Sequence, residues 1–378
     1  MAGKFYAVVG TWMFKPVEKG VCVFSYDPET AEMELLKRYD PEVAAGQQYY
    51  DPKRGVLYIA DECDGHPGET AGGGFVRAYK LNPENGELTF LNERRVLMTK
   101  TSYFWLDKSG DYAMASCHTG RAGVTKVVRN PDNTFSSCVV YEDVGVVLMR
   151  INKDGSLGEV CDVALYPGLT TLPNQVHSHP HSIMADPSGE IFYSCDKGLD
   201  MIYSYKIDRE RGRIIRKAEK SMDFATAPRY LAFHPTLPVM FENNETSNFV
   251  FSFKYCTESG ELKEICRVPL LDDAERVSPS DLRVSADGKF LYAAVRGVDK
   301  IVVYAVDPET GALSRIQIAD CPGGPRGINL SPDGRFLLAA NNGANEIRTF
   351  VVKEDGTLSD TGRAVKVDFA ANVSVIEV

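Results

Sequence analysis

No stretch of the chain approaches the roughly 18 consecutive apolar residues of a membrane-crossing helix. The opening MAGKFYAVVGTW lacks the charged, apolar and small-residue order of a secretion signal. The expectation is a cytoplasmic protein with no membrane partner. Its nine cysteines, at 22, 63, 117, 138, 161, 195, 256, 266 and 321, are odd in number, scattered, and form no C-x-x-C pair. Redox and zinc-ribbon patterns are thereby excluded, and reduced, mostly buried thiols are expected. Basic runs are missing as well: 42 Lys and Arg stand against 52 Asp and Glu, a net charge of −10. Nucleic-acid binding, which rests on clustered cations that release counterions, is not expected. A small anionic ligand stays open, because a few arginines inside a cleft hold one locally. Amphipathic stretches of helical period between the apolar runs are also absent, which argues against a parallel α/β protein.

What the chain does have is repetition. One turn recurs as DPETAEMELL from 27, NPENGELTFL from 82, NKDGSLGEV from 152, DRERGRIIRK from 208, CTESGELKEI from 256, DPETGALSRI from 307 and KEDGTLSD from 353. Each copy lies between alternating apolar runs such as KIVVYAV, the pattern of a hairpin turn. A second series lies between these: DPKRGVLYIAD from 51, DKSGDYAMAS from 107, DPSGEIFYSCD from 186, HPTLPVMFENN from 234, SADGKFLYAAV from 285 and SPDGRFLLAAN from 331. The seventh member is supplied if KFYAVVGTW, residues 4–12, is the second strand of a blade whose first strand is the C-terminal ANVSVIEV. The expectation is an all-β, single-domain, seven-bladed β-propeller spanning residues 1–378, with four-stranded antiparallel blades and a ring closed by the two terminal strands.

One unit is too long. Between SCHTG at 116 and GVVLMRI at 145 lie about twenty-five residues, an excess typical of functional loops. Residues about 120–144 are therefore expected to form a lid insertion in the third blade.

In a propeller blade the head of the inner strand and the end of the second strand lie on one face of the disc. The heads offer His179, His181, Arg229 and Arg326; the ends offer Glu62, His118, Asp196, Glu245, Arg296 and Asn342. Topology thus predicts one polar cavity holding histidine, carboxylates and arginines, the mixture that acid–base chemistry on an anionic substrate requires. His177, His179 and His181 alternate, as ligands on one strand face can, but Pro180 interrupts them and no second cluster completes a metal-ligand set. Neither a metal nor another cofactor is expected.

The ordered set HPHSIMADPSGEIFYSCDKG, APRYLAFHP leading to ENNET, SADGKFLYAAVRG and GGPRGINLSPDG resembles the propeller lactonase family, which includes 6-phosphogluconolactonases and carboxy-cis,cis-muconate lactonising enzymes. The resemblance runs along nearly the whole chain. It implies His181, Arg229, Glu245 and Arg296 as catalytic residues; Arg326, His179, Glu62, His118, Asp196 and Asn342 are candidates for substrate contact from their places in the blades. It also implies a small anionic lactone or carboxylate as partner, and a metal-independent lactonase, with a muconate cycloisomerase or a non-catalytic binding propeller as alternatives. Either His181 or Glu245 is expected to serve as base, the latter if burial raises its pKa.

Overall fold

The computed structural model describes all residues except 1–2, 13–18, 67, 70, 119–122, 167, 171–174 and 273–276. Seven four-stranded antiparallel sheets follow one another around a ring, and an eighth sheet of two strands projects from the third. Inner strands run from Ala45–Asp51, Thr101–Leu106, Pro180–Ala185, Pro228–Phe233, Ser278–Val284, Pro325–Leu330 and Ala370–Glu377. The last of these belongs to the first blade. It pairs with Phe5–Thr11 through Tyr6 and Ile376, Val8 and Ser374, and Gly10 and Asn372. Reciprocal backbone bonds between Lys4 and Val378, 2.9 and 3.2 Å long, complete the closure.

Burial explains why the ring forms. The two middle strands of each blade, such as Val56–Asp61 and Phe336–Asn341, are buried on both faces. Outermost strands such as Met33–Tyr39 are largely exposed on theirs. A lone sheet has no cover for two apolar faces; radial packing supplies it, as where Val56, Tyr58 and Val76 of the second blade meet Phe104, Ala115 and Val147 of the third. The turn repeat also has a mechanical reason. In DPETGAL the Asp307 carboxylate accepts the amides of Glu309 and Thr310 at 3.1 and 2.8 Å, and Gly311 takes a left-handed φ of 74°.

The insertion is more ordered than a loop. Val124–Arg129 and Phe135–Val140 form an antiparallel hairpin, strands that the sequence reading did not assign; the preceding residues 119–122 lie outside the described ones.

One irregularity recurs in every blade and positions the site. Next to the head of the inner strand the register shifts by one residue: between Ala45 and Gln47, Thr101 and Tyr103, Pro180 and Ser182, Pro228 and Tyr230, Pro279 and Asp281, and Pro325 and Gly327. In the first blade the same shift opposes Gly10 and Thr11 to Asn372 and Ala370. A β-bulge leaves one residue unpaired and re-aims its side chain. The seven bulged residues are Ala371, Gly46, Ser102, His181, Arg229, Ser280 and Arg326.

Candidate active site

Bulge residues form a chain of bonds around the axis. Ser102 Oγ donates to the Pro180 carbonyl at 3.4 Å, Arg229 Nη1 to the Ser280 carbonyl, Ser280 Oγ to the Pro325 carbonyl at 2.6 Å, and Arg326 Nη1 to the Gly46 carbonyl at 3.3 Å. His181 is built differently. Its imidazole is 3% exposed, and Nδ1 has no hydrogen-bond partner among the described residues. One face of the ring lies parallel to His118, with centroids 5.5 Å apart, and the ring tilts against Tyr230 at 5.3 Å.

Two charged groups flank this histidine. On one side, Arg229 Nε and Lys197 Nζ donate to the same oxygen of Glu245, at 3.0 and 2.9 Å. Arg296 stands beside them, held to Ser278 by Nη2 donating to the hydroxyl at 2.9 Å. On the other side, Arg326 Nη2 meets Glu62 at 3.4 Å while its guanidinium lies 4.3 Å over the Trp12 ring. His118 Nε2 is 4.0 Å from the other Glu62 oxygen. Glu62 fits only because its neighbour in the second blade is glycine: a Cβ on Gly46 would stand 2.5 Å from the Glu62 carboxylate.

The electrostatics follow from burial inside a cationic recess. Burial, then the Arg229 and Lys197 charges, push the His181 pKa well below its ordinary 6.5, so the ring is neutral at physiological pH. Burial likewise drives His179 down to about 2. Glu245 departs from the expectation of a raised pKa. Burial does raise it, but Lys197, Arg229 and Arg296 together overcome that and hold the carboxylate well below its usual 4.5. Glu62 is lowered too, as His118 and Arg326 outweigh its burial. Arg296 falls to about 9 through burial and the repulsion of Arg229.

The remaining sequence candidates divide. Asp196 is spent on the backbone: it accepts the amides of His179, Gly198 and Leu199 at 2.7, 2.9 and 3.2 Å and the Ser178 hydroxyl at 2.5 Å. That network fixes the chain leading into the His181 bulge. His179 directs Nδ1 to the His118 carbonyl and packs on His177, ring centroids 4.4 Å apart, while His177 in turn lies under Tyr141 at 4.3 Å. Asn342 donates to the carbonyls of Trp12 and Ala370 at 3.1 and 3.2 Å, which secures ring closure. Lys197 escaped the sequence reading. Its only signal was its position directly after Asp196, at the end of a second strand.

Next to His181, Tyr230 packs against Tyr103, ring centroids 5.4 Å apart, and Arg283 pairs with Asp281 at 2.5 Å. A cavity of about 320 Å³ lies among the inner strands, lined by these four residues together with Trp105, Phe233 and Asn329.

The sequence profile of a family described as lactonase, 7-bladed beta-propeller, matches residues 6–375. Among curated proteins, the chain is 27% identical to a 6-phosphogluconolactonase of Bacillus subtilis over 85% of this chain and 83% of that one. It is 24% identical to a 6-phosphogluconolactonase of Formosa agariphila over 82% and 81%. Among solved structures, a periplasmic gluconolactonase of Pseudomonas aeruginosa superposes with a TM-score of 0.84 at 24% identity, covering 99% of both chains.

Proposed function

Since the chain belongs to the lactonase family of seven-bladed β-propellers, we propose that it hydrolyses an anionic sugar lactone of the 6-phosphogluconolactone type. One observation carries the anionic part of this reading. Four cations, Arg229, Arg296, Arg326 and Lys197, surround two ionised carboxylates, Glu62 and Glu245, and a neutral His181. The buried excess of positive charge suits a substrate with a phosphate or carboxylate group.

In this proposal arginine guanidiniums hold the acid group and face the lactone carbonyl, where they stabilise the oxyanion that forms when water adds. Neutral His181 takes the proton from that water. The ring C–O bond then breaks, and the imidazolium returns the proton to the departing ring oxygen, leaving an open hydroxy acid. Substrate charge assists: an anion beside Arg229 offsets the field that depresses His181 and makes it a better base. Glu245, tied to two cations, orients Arg229 and Lys197 and is not the proton carrier. The cytoplasm, which suits nine free thiols, is the proposed compartment.

The test is direct assay of 6-phosphogluconolactone, gluconolactone and carboxy-cis,cis-muconate side by side, with spontaneous lactone hydrolysis subtracted. Accelerated opening of the phosphorylated lactone is expected. Turnover of the muconate alone would replace this reading with cycloisomerisation.

A further inference from the structure

The hairpin of the third blade, Val124–Arg129 and Phe135–Val140, stands off the ring. Strand alternation puts Val127, Phe135 and Val139 on one face and Val124, Val128 and Val140 on the other, and all six are 37 to 69% exposed. Among the described residues, neither strand has a second hydrogen-bonded neighbour. A two-stranded hairpin alone is marginally stable in water. Large exposed apolar side chains beside open strand edges mark an interaction surface.

A complementary feature lies at its base. A groove of about 330 Å³ runs between the hairpin and the segment that follows the third blade, walled by Val139, Val140, Tyr141, Val144, Leu165 and Leu169. Leu165 and Leu169 are 46% and 67% exposed. Exposed Glu142 and Asp143 add negative charge to this groove. The hairpin carries the opposite sign: Arg129 lies on the Phe135 face with its guanidinium 4.7 Å over that ring, and Lys126 lies on the other face. One protomer thus bears a basic, apolar projection next to an acidic, apolar groove.

A surface holding both halves of a contact is matched by a second copy of itself about a two-fold axis. We propose that the chain forms an isologous dimer in which each hairpin seats Val127 and Phe135 in the partner's groove, with Arg129, on the same face, against that groove's acidic rim. The twofold arrangement uses each projection and each groove once, so assembly stops at two. It covers the apolar face that a lone protomer leaves in water. Such a dimer forms whatever reaction the histidine site performs.

The experiment is sedimentation velocity of the full chain from about 0.1 to about 100 µM, the range in which interfaces of modest size associate. A monomer–dimer equilibrium is expected. Phe135→Lys in the hairpin and Leu169→Lys in the groove should each weaken it at least roughly tenfold, the effect of losing one buried anchor. Arg129→Glu should weaken it too, and adding Asp143→Arg to that variant should restore it. All these positions are exposed, so circular dichroism and melting temperature serve to verify that each variant is folded. A wild-type protein that stays monomeric at the highest concentration, with its hairpin serving its own rim, would overturn the proposal. So would a dimer indifferent to both lysine substitutions, an open-ended polymer, or failure of the charge reversal to restore association.

Discussion

The imidazoles of His118 and His181 lie parallel across the boundary of the third and fourth blades, 5.5 Å between centroids and 5° between planes. The second ring is buried and repelled by Arg229 and Lys197, so it stays neutral where an ordinary histidine would take a proton. Its pKa is lowered, and the base form therefore persists as pH falls. Plots of kcat/KM against pH should stay level through 6.5. His181→Gln should cut kcat by roughly 10²–10⁴, the range for general acid–base groups. A break near 6.5 in the wild type, or a variant with near-normal turnover, would remove His181 from the role of base.

Stability should carry the same signature. His179 and His181 both have depressed pKa values in the folded protein, His179 down to about 2, so below about 6.5 the unfolded chain binds protons that the folded one refuses. Their contribution to stability is full above that pH and is lost as pH falls. Each can supply up to about 1.4 kcal/mol per pH unit. Urea midpoints at pH 7.5, 6.5 and 5.5 should fall less steeply for His181→Gln than for the wild type; parallel slopes would contradict the assignment.

Lys197→Met removes a cation without opening a large space. A charged hydrogen bond to substrate contributes about 1.5–3 kcal/mol, so KM for the phosphorylated lactone should rise by roughly 10 to 100-fold. The unphosphorylated lactone should be affected less. Equal loss on both substrates in steady-state kinetics would mean that Lys197 acts only through Glu245.

Glu245→Gln tests a positioning role. Glu245 is ionised and bound to Arg229 and Lys197. The amide should lower kcat/KM and leave the shape of the pH profile unchanged. Loss of an acidic or basic limb in that profile would instead make Glu245 a proton carrier.

Gly46→Ala places a methyl 2.5 Å from Glu62 Oε1. Overpacking of this kind costs about 1–3 kcal/mol, here spent on displacing the carboxylate that holds Arg326. Activity should fall while the circular dichroism spectrum is retained. Wild-type kinetics would show that the Glu62–Arg326 pair is dispensable.

Much of the ring was legible in the sequence because its causes are periodic. Alternating apolar runs and Asp-Gly turns fixed the seven units, and the missing seventh copy pointed to terminal closure. The gathering of polar groups followed from topology, since His181, Arg229 and Arg326 share one place in their blades. The bulge at that place was not legible: a one-residue shift in pairing leaves the alternation around it intact. The hairpin strands were hidden because VTKVVR and FSSCVV have no buried face and lie in an over-long connection that reads as a lid loop, although NPDN between them is a turn of the same kind as the others. The Glu245 pKa was beyond reach for another reason. It is set jointly by Arg229, Arg296 and the unassigned Lys197, which is 48 residues away in sequence and 2.9 Å away in space.

The seven bulges act as interchangeable sockets. Each sits at the same level of the ring, one per blade, and each residue in it is free of the strand register on either side. Around the axis they spell Ala371, Gly46, Ser102, His181, Arg229, Ser280 and Arg326. A substitution in such a socket changes the chemistry presented to the recess while leaving neighbouring ladder bonds in place. New specificity on this scaffold can therefore be sought combinatorially, over a short word of seven positions. Ala371 and Gly46 are its two blank letters; Gly46 is blank because Glu62 occupies its space, and Ala371 is buried beside the ring closure.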